Sequence, residues 1–129
     1  MQQPIEVILM RELASHLATA IFVVDSSGGL EYYNEPAELI LGLRFDETGP
    51  MPVGEWATVF SPTDDQGAPL PPEGLPLVIA LRDRREAHGS FWIRGRDGAT
   101  RFLTVTGVPL VGQQGALVGA VAFFWEAAT

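Results

Sequence analysis

His16 and His88 are the only two histidines in the chain and the first side chains to weigh for proton transfer. His16 falls on or beside an apolar stripe near the N-terminus, and His88 opens a β-rich segment. Nothing in the spacing brings them together, and a lone histidine more often packs or sits at a surface than catalyses. Asp64-Asp65 lies in a proline-rich stretch and reads as a solvated turn. Asp25 ends an apolar run just before Ser26-Ser27-Gly28-Gly29, where an acid forms a turn. The chain has no cysteine, which removes disulfides, thiolate metal sites, iron–sulfur clusters and cysteine nucleophiles together. No phosphate-cradling GxxxxGK[ST], no GxGxxG and no HExxH is present. The expectation is a protein without catalytic residues and without a metal.

The composition agrees with a binding or interaction domain. The 129 residues fit one domain, and 47% apolar residues suffice for one core. A net charge of −8 repels phosphate backbones, so no direct nucleic-acid contact is expected. The arginines Arg82, Arg84, Arg85, Arg94, Arg96 and Arg101 are interleaved with Asp83, Glu86 and Asp97, the pattern of a solvated face of mixed sign. The longest apolar stretch, Ala116 to Trp125, is interrupted by Gly119 and falls short of the roughly 18 residues a membrane span needs. Met1 to Pro4 lacks a basic leader segment, and the chain is expected in the cytoplasm.

The positioning elements follow from periodicity. Ile5, Leu9, Leu13, Leu17 and Ala20 repeat at i, i+4, predicting an amphipathic helix over 5–20. Val7, Ile8 and Met10 widen its apolar surface, which predicts a helix packed against a partner. Residues 21–25 and 30–33 read as a hairpin, with Asn34 capping a short helix over 35–41 that Gly42 ends. Residues 43–73 are broken by six prolines and admit two short helical turns, one around 55–60. A helix over 76–85 precedes three strands, 87–94, 100–110 and 116–125, joined as a meander. The expected class is α+β: one five-stranded antiparallel sheet with short helices on one face.

Three segments in that order resemble the PAS domain family. IFVVDSSGGLEYYNEPAELILG (21–42) is similar to its opening hairpin, Asn-capped helix and Leu-Gly end. PLVIALRDRREAHGSFWIRGRDGATRFLTVTGVPL (76–110) is similar to its long helix, a strand, an Arg-x-Asp-Gly turn and a strand ending in Val-Pro-Leu. GALVGAVAFFWEAAT (115–129) is similar to its closing strand. The resemblance spans roughly residues 12–129. It implies a PAS fold over 21–126, an N-terminal cap or dimerisation helix over 1–20, and the start of an output linker at 127–129. It further implies a sensory or dimerisation module attached to an effector domain, such as a histidine kinase or a transcription regulator.

The same resemblance frames the cofactor question. Members with flavin photochemistry carry a reactive cysteine, so adduct chemistry is excluded here, and Trp125 falls near the place of their flavin-contacting Gln. Many heme-binding members carry a histidine on the long helix; this helix has none, so heme would have to use His16, His88 or a Met. A gas or redox sensor with heme and a ligand-free interaction domain stand as alternatives to a sensor of a small apolar ligand.

Strand alternation assigns Phe22, Val24, Phe91, Ile93, Leu103, Val105, Val121, Phe123 and Trp125 to the helix-covered face, closed from above by Trp56, Leu77 and Leu81. These form either a filled core or a pocket for an apolar ligand such as a fatty acid or small aromatic, with a Trp N–H serving a polar head group. The opposite face would carry Trp92, Phe102 and Phe124. The first helix, with Ile5, Ile8 and Leu9, is expected to cover them, from its own chain or from the second copy in a homodimer. Repacking around Trp125 would then shift the last strand and the first helix.

Overall fold

The computed structural model describes residues 4–127. The expected linker beyond Ala127 and the first three residues of the expected N-terminal unit lie outside the described residues. Along the chain run α1 (Ile5–Ala14), β1 (Ala20–Asp25), β2 (Leu30–Tyr33), α2 (Glu35–Leu41), α3 (Phe45–Thr48), α4 (Val53–Val59), a 3-10 turn (Pro72–Gly74), α5 (Pro76–Asp83), β3 (Ala87–Arg94), β4 (Thr100–Val111) and β5 (Leu117–Glu126). The strands form one antiparallel sheet in the order β2-β1-β5-β4-β3. Residues of α2, α4 and α5 join the core on one face of the sheet, and α1 lies on the other.

Asn34 holds the junction between the two layers. Its Oδ1 accepts from Ile21 N (3.0 Å) and Ala37 N (3.2 Å), and its Nδ2 donates to Ala14 O and Thr19 O (both 2.9 Å). One buried side chain thus caps α2, extends β1 and takes two carbonyls of the α1–β1 connection. This explains why the first helix ends at Ala14 rather than continuing to residue 20. Its last carbonyls close in tight i+3 turns, with His16 N on Leu13 O and Leu17 N on Ala14 O, and the chain is then drawn into the sheet.

The helix also turns a different face inward than its i, i+4 stripe predicts. Val7 and Ala14 are fully buried against Ile21, Val23 and Val121. A Cβ on Gly119 would sit 2.5 Å from Val24 O and 3.1 Å from Val7, so α1 packs closely where β5 has no side chain. Ile5, Leu9, Leu13 and Leu17 are left in solvent, with Ile5 64% and Leu9 60% exposed.

The proline-rich connection is not a free lid. Thr63 N bonds Trp92 O (2.9 Å), Trp92 N bonds Thr63 O (3.0 Å) and Arg94 N bonds Phe60 O (2.8 Å). Half of the β3 edge is thereby paired, which blunts an otherwise open strand.

Candidate functional site

An apolar cavity of about 80 Å³ lies between the sheet and the helices. Its floor is Phe22 of β1, Phe91 and Ile93 of β3, Leu103 and Val105 of β4, and Ala122 and Phe124 of β5. Leu41, Trp56, Ala57, Phe60, Pro62, Leu75, Pro76 and Leu77 close it from above. Phe22 is fixed by its neighbours, stacked on Tyr33 (5.8 Å between rings) and edge-on to Trp56 (5.1 Å). Trp56 Nε1 donates to Gly28 O at 2.7 Å, tying α4 to the β1–β2 turn.

The expected pocket residues Phe22, Trp56, Leu77, Phe91, Ile93, Leu103 and Val105 line this cavity. Val24 is fully buried in the same core and Leu81 packs on it, but neither lines the space.

The assignment of β5 is corrected by its register. Phe22 stands opposite Ala122 and Val105 opposite Phe124, so those residues share the inner face. Val121 and Phe123 belong with the α1 cluster, and Trp125 opposes Thr104 on the outer face, 48% exposed. Phe124, expected outside, is buried in the cavity wall. The residue near the end of β5 that faces the interior is therefore Phe124, and repacking around Trp125 is not a route from the cavity. The expected cover of the outer aromatics is corrected too. The residues buried with Val7 and Ala14 of α1 are Ile21, Val23 and Val121, whereas Trp92 and Phe102 pack on each other (5.0 Å) elsewhere on the outer face.

No histidine faces the cavity. His16 pairs with Glu12 (3.3 Å) and His88 with Glu86 (2.7 Å) and Thr106 (3.0 Å), all at the surface. Met51 is buried in the core but does not line the space. Among the described residues no His or Met lines the space as an axial ligand, and there is no room for the ring, so the residues present do not fit a heme. Among the described residues no group of three His, Asp or Glu is placed to hold a metal ion, and no helix is long and apolar enough to cross a membrane.

Arg101 and Asp97 form a charged pair beside the end of α2. Arg101 Nη2 meets Asp97 Oδ2 at 2.8 Å, its Nη1 donates to Ile40 O at 2.8 Å, and its Nε lies 3.5 Å from Glu126. The Arg101 guanidinium, helped by Ala99 N–H, holds the Asp97 carboxyl down to about 2. Asp97 also sits under Gly42, where φ is +71° and a Cβ would come 2.7 Å from Asp97 N, so the α2 end requires glycine twice over. Asp25 is part-buried, which alone would raise its pKa, but bonds from Ser27 Oγ and from the Gly29 and Ser27 N–H groups outweigh this and lower it. It is a turn acid.

Sequence reasoning missed Leu41, Ala57, Phe60, Pro62, Leu75, Pro76 and Ala122. The proline-rich stretch carries no periodicity from which a facing could be read.

No family model matches the sequence, and no curated protein matches it. Solved structures do match. The PAS domain of a Colwellia psychrerythraea protein is 18% identical, with 93% of this chain and 97% of that one covered and a TM-score of 0.65. The PAS domain from the fruit-fly ELK potassium channel is 10% identical over 99% and 100% of the two chains, with a TM-score of 0.71. A PAS domain from a two-component sensor histidine kinase is 12% identical over 95% and 97%, with a TM-score of 0.60. These likenesses lead to one conclusion: the fold of this chain is the PAS fold.

Proposed function

We propose that this domain is the sensory, self-associating module of a larger cytoplasmic signalling protein, and that it works without catalytic chemistry of its own. The observation that carries the reading is the exposed stripe of α1. Ile5, Ile8, Leu9 and Leu13 remain between 47% and 64% exposed on a helix whose other face is already engaged, and Leu17, just beyond its end, is exposed as well. Contiguous apolar surface of this kind marks an interaction site. A stripe at i, i+4 spacing is complementary to itself, and two copies related by a two-fold axis would bury it as a helix–helix seam. Trp92, Phe102 and Trp125 are further large apolar side chains on the outer face of the sheet. The similar domains come from a potassium channel and a sensor histidine kinase, which supports an input role while leaving the output open. A signal would act by favouring one packing of the two copies over another.

Sedimentation of the purified domain tests this. A dimer is expected, and Leu9→Glu with Leu13→Glu should return a folded monomer, because neither side chain is buried in the single chain. A wild-type chain that stays monomeric at micromolar concentration, or a dimer untouched by the double substitution, would overturn the reading.

A further inference from the structure

The chemistry of the cavity wall restricts what can enter it. Trp56 Nε1 is the one polar side-chain atom among its lining residues, and Gly28 O already holds it at 2.7 Å. No Trp N–H is left for a head group, and essentially no other polar atom faces the space. A water held inside needs about two to four polar partners, and the wall offers essentially none. A carboxylate, phosphate or amide would enter with its hydrogen bonds unmade. Size restricts it further. The cavity of about 80 Å³ is smaller than an engineered apolar cavity of roughly 150 Å³ that takes benzene or xenon. It is well below the roughly 300–1,000 Å³ of pockets for drug-sized ligands.

We infer that the cavity is a binding site for an uncharged, nonpolar molecule of a few heavy atoms, a nonpolar gas or short hydrocarbon, and that acids with the same hydrocarbon body are refused. A carboxylate drawn inside would lie there unpaired, and a long acyl chain exceeds the volume. The inference rests on the input-module reading for its purpose, and the wall supplies the link. Ala122 and Phe124 of β5 face the cavity, while Val121 of the same strand packs with Val7 of α1. Filling the inner face pushes on a strand whose outer face seats the helix bearing the exposed stripe.

The test uses the isotope-labelled domain equilibrated in turn with xenon, propane and propionate. Xenon and propane are expected to shift the NMR signals of Ala57, Ala122 and Val105 saturably, and propionate to leave them in place. Ala57→Leu and, separately, Ala122→Val fill the space from opposite sides. Each folded variant should lose most of the xenon shift, with Tm unchanged or raised. The inference fails if neither gas shifts these residues, if propionate binds as well as propane, or if the xenon response survives in both variants. Sedimentation on the same samples separates the two proposals. A dimer without gas binding sinks only the ligand class, and gas binding by a monomer sinks only self-association.

Discussion

Replacing Asn34 with Ala removes four hydrogen bonds at once, and the structure fixes what each loss costs. Ala14 O keeps a bond from Leu17 N at 3.2 Å, and Thr19 is exposed, so water can serve its carbonyl. Ile21 N and Ala37 N are different: both donate to Asn34 Oδ1 inside the protein. A buried donor left unmade costs about 1–3 kcal/mol, and losing a helix N-cap about 1. Allowing for partial relaxation, the expected loss is about 3 kcal/mol, a large share of the roughly 5–15 kcal/mol that holds a domain together. For a chain of this size that corresponds to a fall in Tm of about 10–15 °C.

Urea unfolding followed by tryptophan fluorescence reads this loss, since Trp56 is buried. Asn34→Asp sharpens the test. It keeps the two acceptor contacts but puts an oxygen where Nδ2 now donates to Ala14 O and Thr19 O at 2.9 Å. At neutral pH this variant should be no better than Asn34→Ala, and it should recover in part as acid protonates the carboxyl and restores one donor. Hydrogen exchange in α1 should rise in both variants. A loss below about 1 kcal/mol for Asn34→Ala, within the range of ordinary surface changes, would show that Asn34 does not hold the junction together.

Two further outcomes follow from close contacts and from charge. A Cβ on Gly107 would come 2.7 Å from Pro76 O and 2.9 Å from Pro76 C, both backbone atoms, so Gly107→Val should lift α5 and cost about 1–3 kcal/mol by urea unfolding. Asp97, held near 2 against an ordinary 3.8, adds stability that is fully present above the ordinary value and is lost as pH falls towards 2. Asp97→Asn should therefore flatten the acid limb of stability against pH in that window, and added salt should shrink the difference because the pair is partly exposed.

Much of the fold was legible locally. The turn at Ser26-Ser27-Gly28-Gly29, the Asn34 cap, the Gly42 stop and the Asp97-Gly98 turn each depend on a few adjacent residues whose backbone preferences are strong, and each appears where its chemistry places it. Strands β3 and β4 alternate clearly enough to place Phe91, Ile93, Leu103 and Val105 on the cavity side. β5 does not. Gly119 through Ala122 are all buried because α1 covers one face and the helical layer the other. A strand buried on both sides carries no polar residue to mark its faces, and a one-residue slip exchanges them. Val121, Phe123, Phe124 and Trp125 were misplaced for that reason.

The first helix shows the same division. Its sequence determined that it is helical and apolar on more than one side. Val7 and Ala14 lie inward while Ile5 and Leu9 lie outward, and that choice was made in three dimensions. Gly119 opens a place on β5 that Val7 fills, and Asn34 ends the helix by holding Ala14 O. Local sequence sets which elements form, because turns, caps and periodicity act over a few residues. Which of two apolar faces goes inside depends on the shape of a surface assembled from distant strands, and only the tertiary structure decides it.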